Sequence, residues 1–176
     1  MTIDDFERLT DEQAHNRELV DGELVPTLAN TLEQNLIRDL LIVLLRPFVR
    51  ERGLGFVVGE QDYDFHGNAH GPDVSLFGPA KLPLVDPDKR VQRFVPDLAI
   101  EVVSGDEIFT SVWGKKERYL RCGTAEVWIV YPVAREVFVY AATGDRILRE
   151  GAELTSELLP DFRLPVTRLF DSVSAS

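Results

Sequence analysis

One cysteine, Cys122, stands in a chain of 176 residues, so no intrachain disulfide can brace the fold. That economy suits a reducing compartment, and the cytoplasm is the expected location. Long apolar runs are missing too. The most hydrophobic stretch, LLIVLLRPFV, is broken by Arg46 and Pro47 and falls short of the roughly 20 residues that span a bilayer. The N-terminus, MTIDDFERLTDEQ, has neither the basic start nor the apolar core of a signal peptide. Basic residues are scarce: 19 Lys and Arg face 30 Asp and Glu, a net charge of −11. This counts against a broad electrostatic footprint for nucleic acid. It leaves room for metal-dependent chemistry on a phosphate, since clustered acids hold Mg²⁺. No repeat, low-complexity tract or second domain is evident, and 1–176 reads as one domain with a full core.

What is present is a pattern of alternating elements. Residues 3–14 predict a short acidic helix with Phe6 and Leu9 as its apolar contacts. RELVDGELVPTL places two apolar runs around Asp21-Gly22, a hairpin signal. From Asn30 the spacing turns helical through Leu36, Ile37, Leu40, Leu41, Leu44, Leu45 and Phe48, with Asn30 and Glu33 as the expected cap and Pro47 as an expected kink or break. Strands are expected at 56–65, 72–77, 94–104, 125–132 and 135–142, with 78–93 a proline-rich surface loop. Ser104-Gly105-Asp106 should open a helix reaching Cys122; a short edge strand and a final helical turn complete the chain. The order is helix, three strands, helix and further strands, which makes the class α/β or α+β with a mixed sheet flanked by helices.

The anomaly is FVPDLAIEVVS, an apolar strand with Asp97 at its entrance and Glu101 inside it. An unpaired buried carboxylate costs several kcal/mol, so Glu101 must be paired, protonated or holding a metal. Strand alternation puts Asp97, Ala99 and Glu101 on one face, with Asp97 and Glu101 about 13 Å apart, too far to share an ion. Glu101 is the better metal ligand and Asp97 a supporting one. Asp73 opens the preceding strand, PDVSLF, and acids on neighbouring strands can share one cation. Taken one at a time, each acid is better explained by solvent exposure or a turn, and two Pro-Asp strands, one with a mid-strand Glu, bring the site reading only level with that. His66, His70 and Asp64 have a loose zinc-like spacing better read as ordinary loop residues. Trp113, Trp128, Tyr131 and Tyr140 suit core or dimer contacts better than base stacking.

The succession DGEL, PDV, VPDLAIEVVS, KKERYLRCGTAEVWIVYP and LLPDFRLPVTRLF resembles the Uma2 family (DUF820) over residues 17–170, with a short helical extension before it. That resemblance implies a restriction-endonuclease-like PD-(D/E)XK core. It also implies a metal-dependent nuclease acting on DNA phosphodiester bonds. On it, Asp73 and Glu101 hold Mg²⁺ or Mn²⁺. Val103 stands where the motif's lysine would fall, and Lys115 on the following helix takes that part. Glu23, in DGEL, matches an acid of supporting role, as does Asp97. The chain departs from the family pattern at Ser104-Gly105-Asp106, Ser111, Gly114 and Glu33. Lys116 competes with Lys115 for the same role, about 100° away on the helix. The alternative is a nuclease-like scaffold without cleavage, serving binding or dimerisation. A homodimer is the expected assembly.

Overall fold

The computed structural model of the protein describes residues 1–103 and 109–171. The expected N-terminal helix is two, α1 (Ile3–Glu7) and α2 (Asp11–Ala14), each started by a threonine capping box, at Thr2 and at Thr10. Thr10 divides them, because an N-cap works only from extended backbone. β1 (Arg17–Val20) and β2 (Glu23–Pro26) form the hairpin, with Asp21 and Gly22 both at positive φ as a two-residue turn of this kind requires. α3 (Leu32–Glu51) follows and runs through Pro47 without ending there. Its cap is Thr31 with Gln34 rather than Asn30 with Glu33, which releases Asn30 for another use.

The strand expected over 56–65 is broken into β3 (Phe56–Gly59) and β4 (Asp62–Asp64), where Glu60 adopts a left-handed conformation at φ +52. β5 (Ala69–His70) and β6 (Val74–Phe77) come next. The 78–93 loop contains a 3-10 turn at Pro79–Leu84 and the short β7 (Val91–Gln92). β8 (Leu98–Val102) is the core of FVPDLAIEVVS. α4 (Phe109–Arg121) ends where expected, while its proposed opening at Ser104-Gly105-Asp106 lies outside the described residues. β9 (Glu126–Tyr131), β10 (Glu136–Ala141) and the edge strand β11 (Arg146–Leu148) complete the main sheet. β12 (Glu153–Ser156), not expected from the pattern, pairs with β13 (Leu159–Pro165) ahead of α5 (Val166–Asp171).

The main sheet has the order β11-β10-β9-β8-β6-β3. Every pairing in it is antiparallel except β8 with β9, which α4 joins as a crossover. Ile37, Leu41, Leu45 and Val49 recur every fourth residue along α3 and pack on Val74, Leu76, Leu98, Ile100 and Val102. Each such buried aliphatic side chain contributes roughly 1.5–3 kcal/mol. Tyr63, Phe65, Phe77, Phe94 and Tyr119 fill the opposite face, between the main sheet, α4 and a smaller sheet of order β2-β1-β5-β4-β7. Gly55 lets the chain enter β3 against β6: its φ is +134, and an added Cβ would lie 2.1 Å from the Phe77 carbonyl oxygen. The result is a mixed α/β fold whose central sheet is sandwiched between helices and the small sheet.

Candidate active site

β6 and β8 pair with Val74 opposite Ile100 and Ser75 opposite Ala99, and one further step of that register sets Asp73 opposite Glu101. Val74, Leu76, Ile100 and Val102 are committed to the α3 side, so alternation turns both carboxylates toward α4. Both are nearly covered, at 8% and 6% exposure. Asp73 Oδ2 accepts the Val102 N–H at 2.7 Å, and Oδ1 accepts Asn30 Nδ2 at 3.2 Å. Tyr119 donates its hydroxyl to Glu101 Oε1 at 2.6 Å. Burial raises the Asp73 carboxyl, only partly offset by the Val102 N–H and the Lys115 ammonium. Burial also pushes Glu101 up to about 8, helped by the negative charges of Asp73 and Glu18 and resisted by Lys115. Another buried acid, Glu126, lies outside this group and is satisfied by Trp128 Nε1 and Ser156 Oγ.

α4 delivers the cation. Lys115 Nζ lies 2.9 Å from Glu18 Oε1 and 3.8 Å from Glu101 Oε2. Lys116 is turned away: its ammonium sits 3.6 Å from the Trp113 ring centre and 4.6 Å from that of Tyr140. There it lines a separate, largely apolar cavity of about 420 Å³ with Tyr131 and Phe138. Behind Glu18 stands His70, whose Nδ1 approaches Glu18 Oε2 at 3.1 Å. The approach is off the straight line of a good hydrogen bond, so the contact is bent and largely electrostatic. Arg118 Nη1 lies 2.9 Å from His70 Nε2. A guanidinium only donates, so Nε2 must accept and the imidazole is neutral with its proton on Nδ1, facing Glu18. Burial and the charges of Lys115 and Arg118 likewise hold His70 below its usual range. Burial alone would raise Glu18, but His70 and Lys115 outweigh it and bring the carboxyl down to about 2.

Glu18, Asp73, Glu101 and Lys115 form the floor of a pocket of about 900 Å³, open between the hairpin, the segment leading into α3 and the β3–β4 break. Asp62 lines the same pocket and is raised to about 7, mainly by burial and by the charge of Glu18. It packs close to Gly71, where a Cβ would lie 2.7 Å from Asp62 Oδ1. On the rim, Glu60 accepts Arg38 Nη1 at 2.5 Å. Among the described residues no three His, Cys, Asp or Glu side chains form a ready cage for a metal ion. Mg²⁺ does not need one, since it is held by one or two carboxylates with water and substrate phosphate. With all three ionised, as a bound cation would make them, Asp73, Glu101 and Glu18 exceed Lys115 by two negative charges. A desolvated carboxylate pair with that deficit fits a hard divalent cation.

The family model for Uma2, described as "Putative restriction endonuclease", matches residues 3–167. The chain belongs to the Uma2 family. A solved structure described as a "putative nuclease belonging to DUF820" from Anabaena variabilis ATCC 29413 superposes with a TM-score of 0.86. The two are 21% identical, and the match covers 98% of the Uma2 chain and 99% of the other. Among curated proteins none is significantly similar.

In this Uma2 chain the structure brings Asp73, Glu101 and Lys115 together and leaves two expected partners elsewhere. Asp97 lies at the far end of the β8 segment, where its carboxylate accepts the Gly78 N–H at 2.7 Å and pairs with Lys81 at 2.6 Å. Its work is to tie the 3-10 turn to the strand. Glu23 is exposed on β2, paired with Val20 across the hairpin. The hairpin's contribution is Glu18 instead, because β1 is the inner strand, packed on β5, while β2 is the edge. Asp64 caps the Gly67 N–H and pairs with Arg93, so it forms no zinc site with the histidines. Glu18 was detectable by the reasoning that singled out Glu101, a carboxylate within an apolar strand. His70, Asn30 and Asp62 gave no such signal, since their places depend on the small sheet and on the break at Glu60.

Proposed function

We propose that this protein is a Mg²⁺- or Mn²⁺-dependent nuclease that hydrolyses DNA phosphodiester bonds. One observation carries the reading: two desolvated carboxylates on adjacent strands share a face with an ammonium, at the floor of a pocket of about 900 Å³. Asp73 and Glu101 would hold the metal. When bound, it would polarise a phosphoryl oxygen and lower the pKa of a water. Lys115 would stabilise the negative charge that develops on the phosphate. Tyr119 orients Glu101 through its hydroxyl, and the Val102 N–H and Asn30 orient Asp73. The reading extends to one working domain, in the cytoplasm, acting as a homodimer.

The test is nicking of supercoiled plasmid with Mg²⁺ or Mn²⁺. Wild type should cleave, and Glu101→Ala and Lys115→Ala should each lose about 100-fold or more. Equal rates in all three proteins would dispose of the site. A second reading, a scaffold that binds without cutting, is favoured by the net charge of −11 and by both Asp73 oxygens already accepting hydrogen bonds. Metal binding without cleavage by wild type would select it.

A further inference from the structure

We infer that Glu18 is the positioning residue for the Lys115 ammonium, and that His70, fixed by Arg118, acts through Glu18. The functional consequence rests on the nuclease reading above; the geometry does not. Lys115 is nearer Glu18 than Glu101, at 2.9 against 3.8 Å. A lysine side chain is a flexible stem bearing a point charge, so its nearest buried counter-charge decides where the ammonium rests. Glu18 is suited to that part by its place on an inner strand and its 7% exposure. The neutral imidazole of His70 turns its one N–H toward the same carboxylate without competing as a cation. Arg118 in turn is engaged by Asp21 at 3.1 Å, so the chain of contacts ends on the hairpin turn.

Pulling Lys115 back toward Glu18 has a consequence for the acid pair. Were Glu18 absent, the ammonium would lose its closest tether and move freely over Glu101, screening the carboxylates that a metal requires. Glu18 thus keeps the lysine close to the pair but off it, which a purely stabilising contact would have no reason to do. Among the described residues, the other charges near Lys115 include Glu101, Asp73 and Asp62 from the sheets, with Arg118 and Lys116 on its own helix.

The chain has only four lysines, Lys81, Lys89, Lys115 and Lys116, which makes the side-chain ammonium groups separable by ¹⁵N NMR. The Lys115 signal is assigned by its loss in Lys115→Arg. Lys81, held by Val95 O at 2.7 Å and by Asp97, reports whether the fold is intact. Wild type should show a Lys115 ammonium protected from exchange. Glu18→Gln should speed that exchange at least about 10-fold with the Lys81 signal unmoved, and His70→Ala should have a smaller effect in the same direction. Adding His70→Ala to Glu18→Gln should change nothing further, as expected of residues acting in series. If Glu18→Gln fails to fold, Glu18→Asp keeps the charge but shortens the reach, and the same loss of protection is expected.

An unchanged Lys115 signal in the Glu18 variants overturns the inference, as does an effect of His70→Ala that is undiminished in the Glu18→Gln background. In the nicking assay Glu18→Gln should lower kcat by about 10- to 100-fold with KM nearly unchanged. If wild type nicks no faster than Glu101→Ala, the nuclease reading falls while the NMR result still decides the role of Glu18.

Discussion

Asp62 and Glu18 line one pocket, yet their environments drive them in opposite directions. Burial raises Asp62 from 3.8 to about 7, so the folded chain keeps a proton there that the unfolded chain has already released. Stability therefore falls as pH climbs from about 4 through 7. Asp62→Asn should match wild type near pH 4 and exceed it at pH 8 by roughly 1–2 kcal/mol, after discounting for the water that still reaches the group. Urea denaturation at the two pH values measures this, and a variant no more stable at pH 8 would contradict it. Glu18 has the reverse sign. Its carboxyl sits at about 2 when folded, against 4.5 ordinarily, so its contribution is complete above 4.5 and is lost as pH falls toward 2. Glu18→Gln should accordingly flatten the acid limb of the stability curve.

Among the elements, α3 does more than cover the sheet. Gln34 closes the helix's capping box through Oε1 and, through Nε2, donates to the Val102 carbonyl at 2.7 Å. One side chain thus locks the helix start to the strand that carries Glu101. Thr31→Ala should cost about 1 kcal/mol, a fall in Tm of roughly 2–4 °C. Gln34→Ala should cost more, about 1–3 kcal/mol, because it also strands a buried carbonyl. Calorimetry on the two variants checks the order. The sequence made α3 legible but not its cap, since Asn30-x-x-Glu33 and Thr31-x-x-Gln34 both satisfy the same signature. The succession of strands around α4 was legible from apolar periodicity, and so was the shared face of Asp73 and Glu101, which needs only alternation and neighbouring strands. The small sheet was not. Its two-residue strands, β5 and β7, are too short for any period, and they exist only because tertiary contacts hold them.

For the whole molecule, the net charge of −11 sets how a polyanion could approach. Without a divalent cation, binding to duplex DNA should be undetectable by fluorescence anisotropy at 0.15 M salt. Ca²⁺, which can occupy hard oxygen sites, should restore it with a shallow dependence on salt. Tight binding in EDTA with a steep salt slope would mean that a basic surface, rather than the acid pair, draws the nucleic acid. The match to the Uma2 model over residues 3–167 reaches well beyond the site itself, so the family's shared character is carried by the whole framework and not by a few acids.

Trp113, 44% exposed and stacked against Lys116, stands on α4 two residues from Lys115, while Trp128 is wholly buried in the sheet. The molecule therefore holds two fluorophores of opposite accessibility. Iodide should quench the red-shifted emission of the first and spare the second, so seating of the helix that brings the lysine can be followed optically in unlabelled protein.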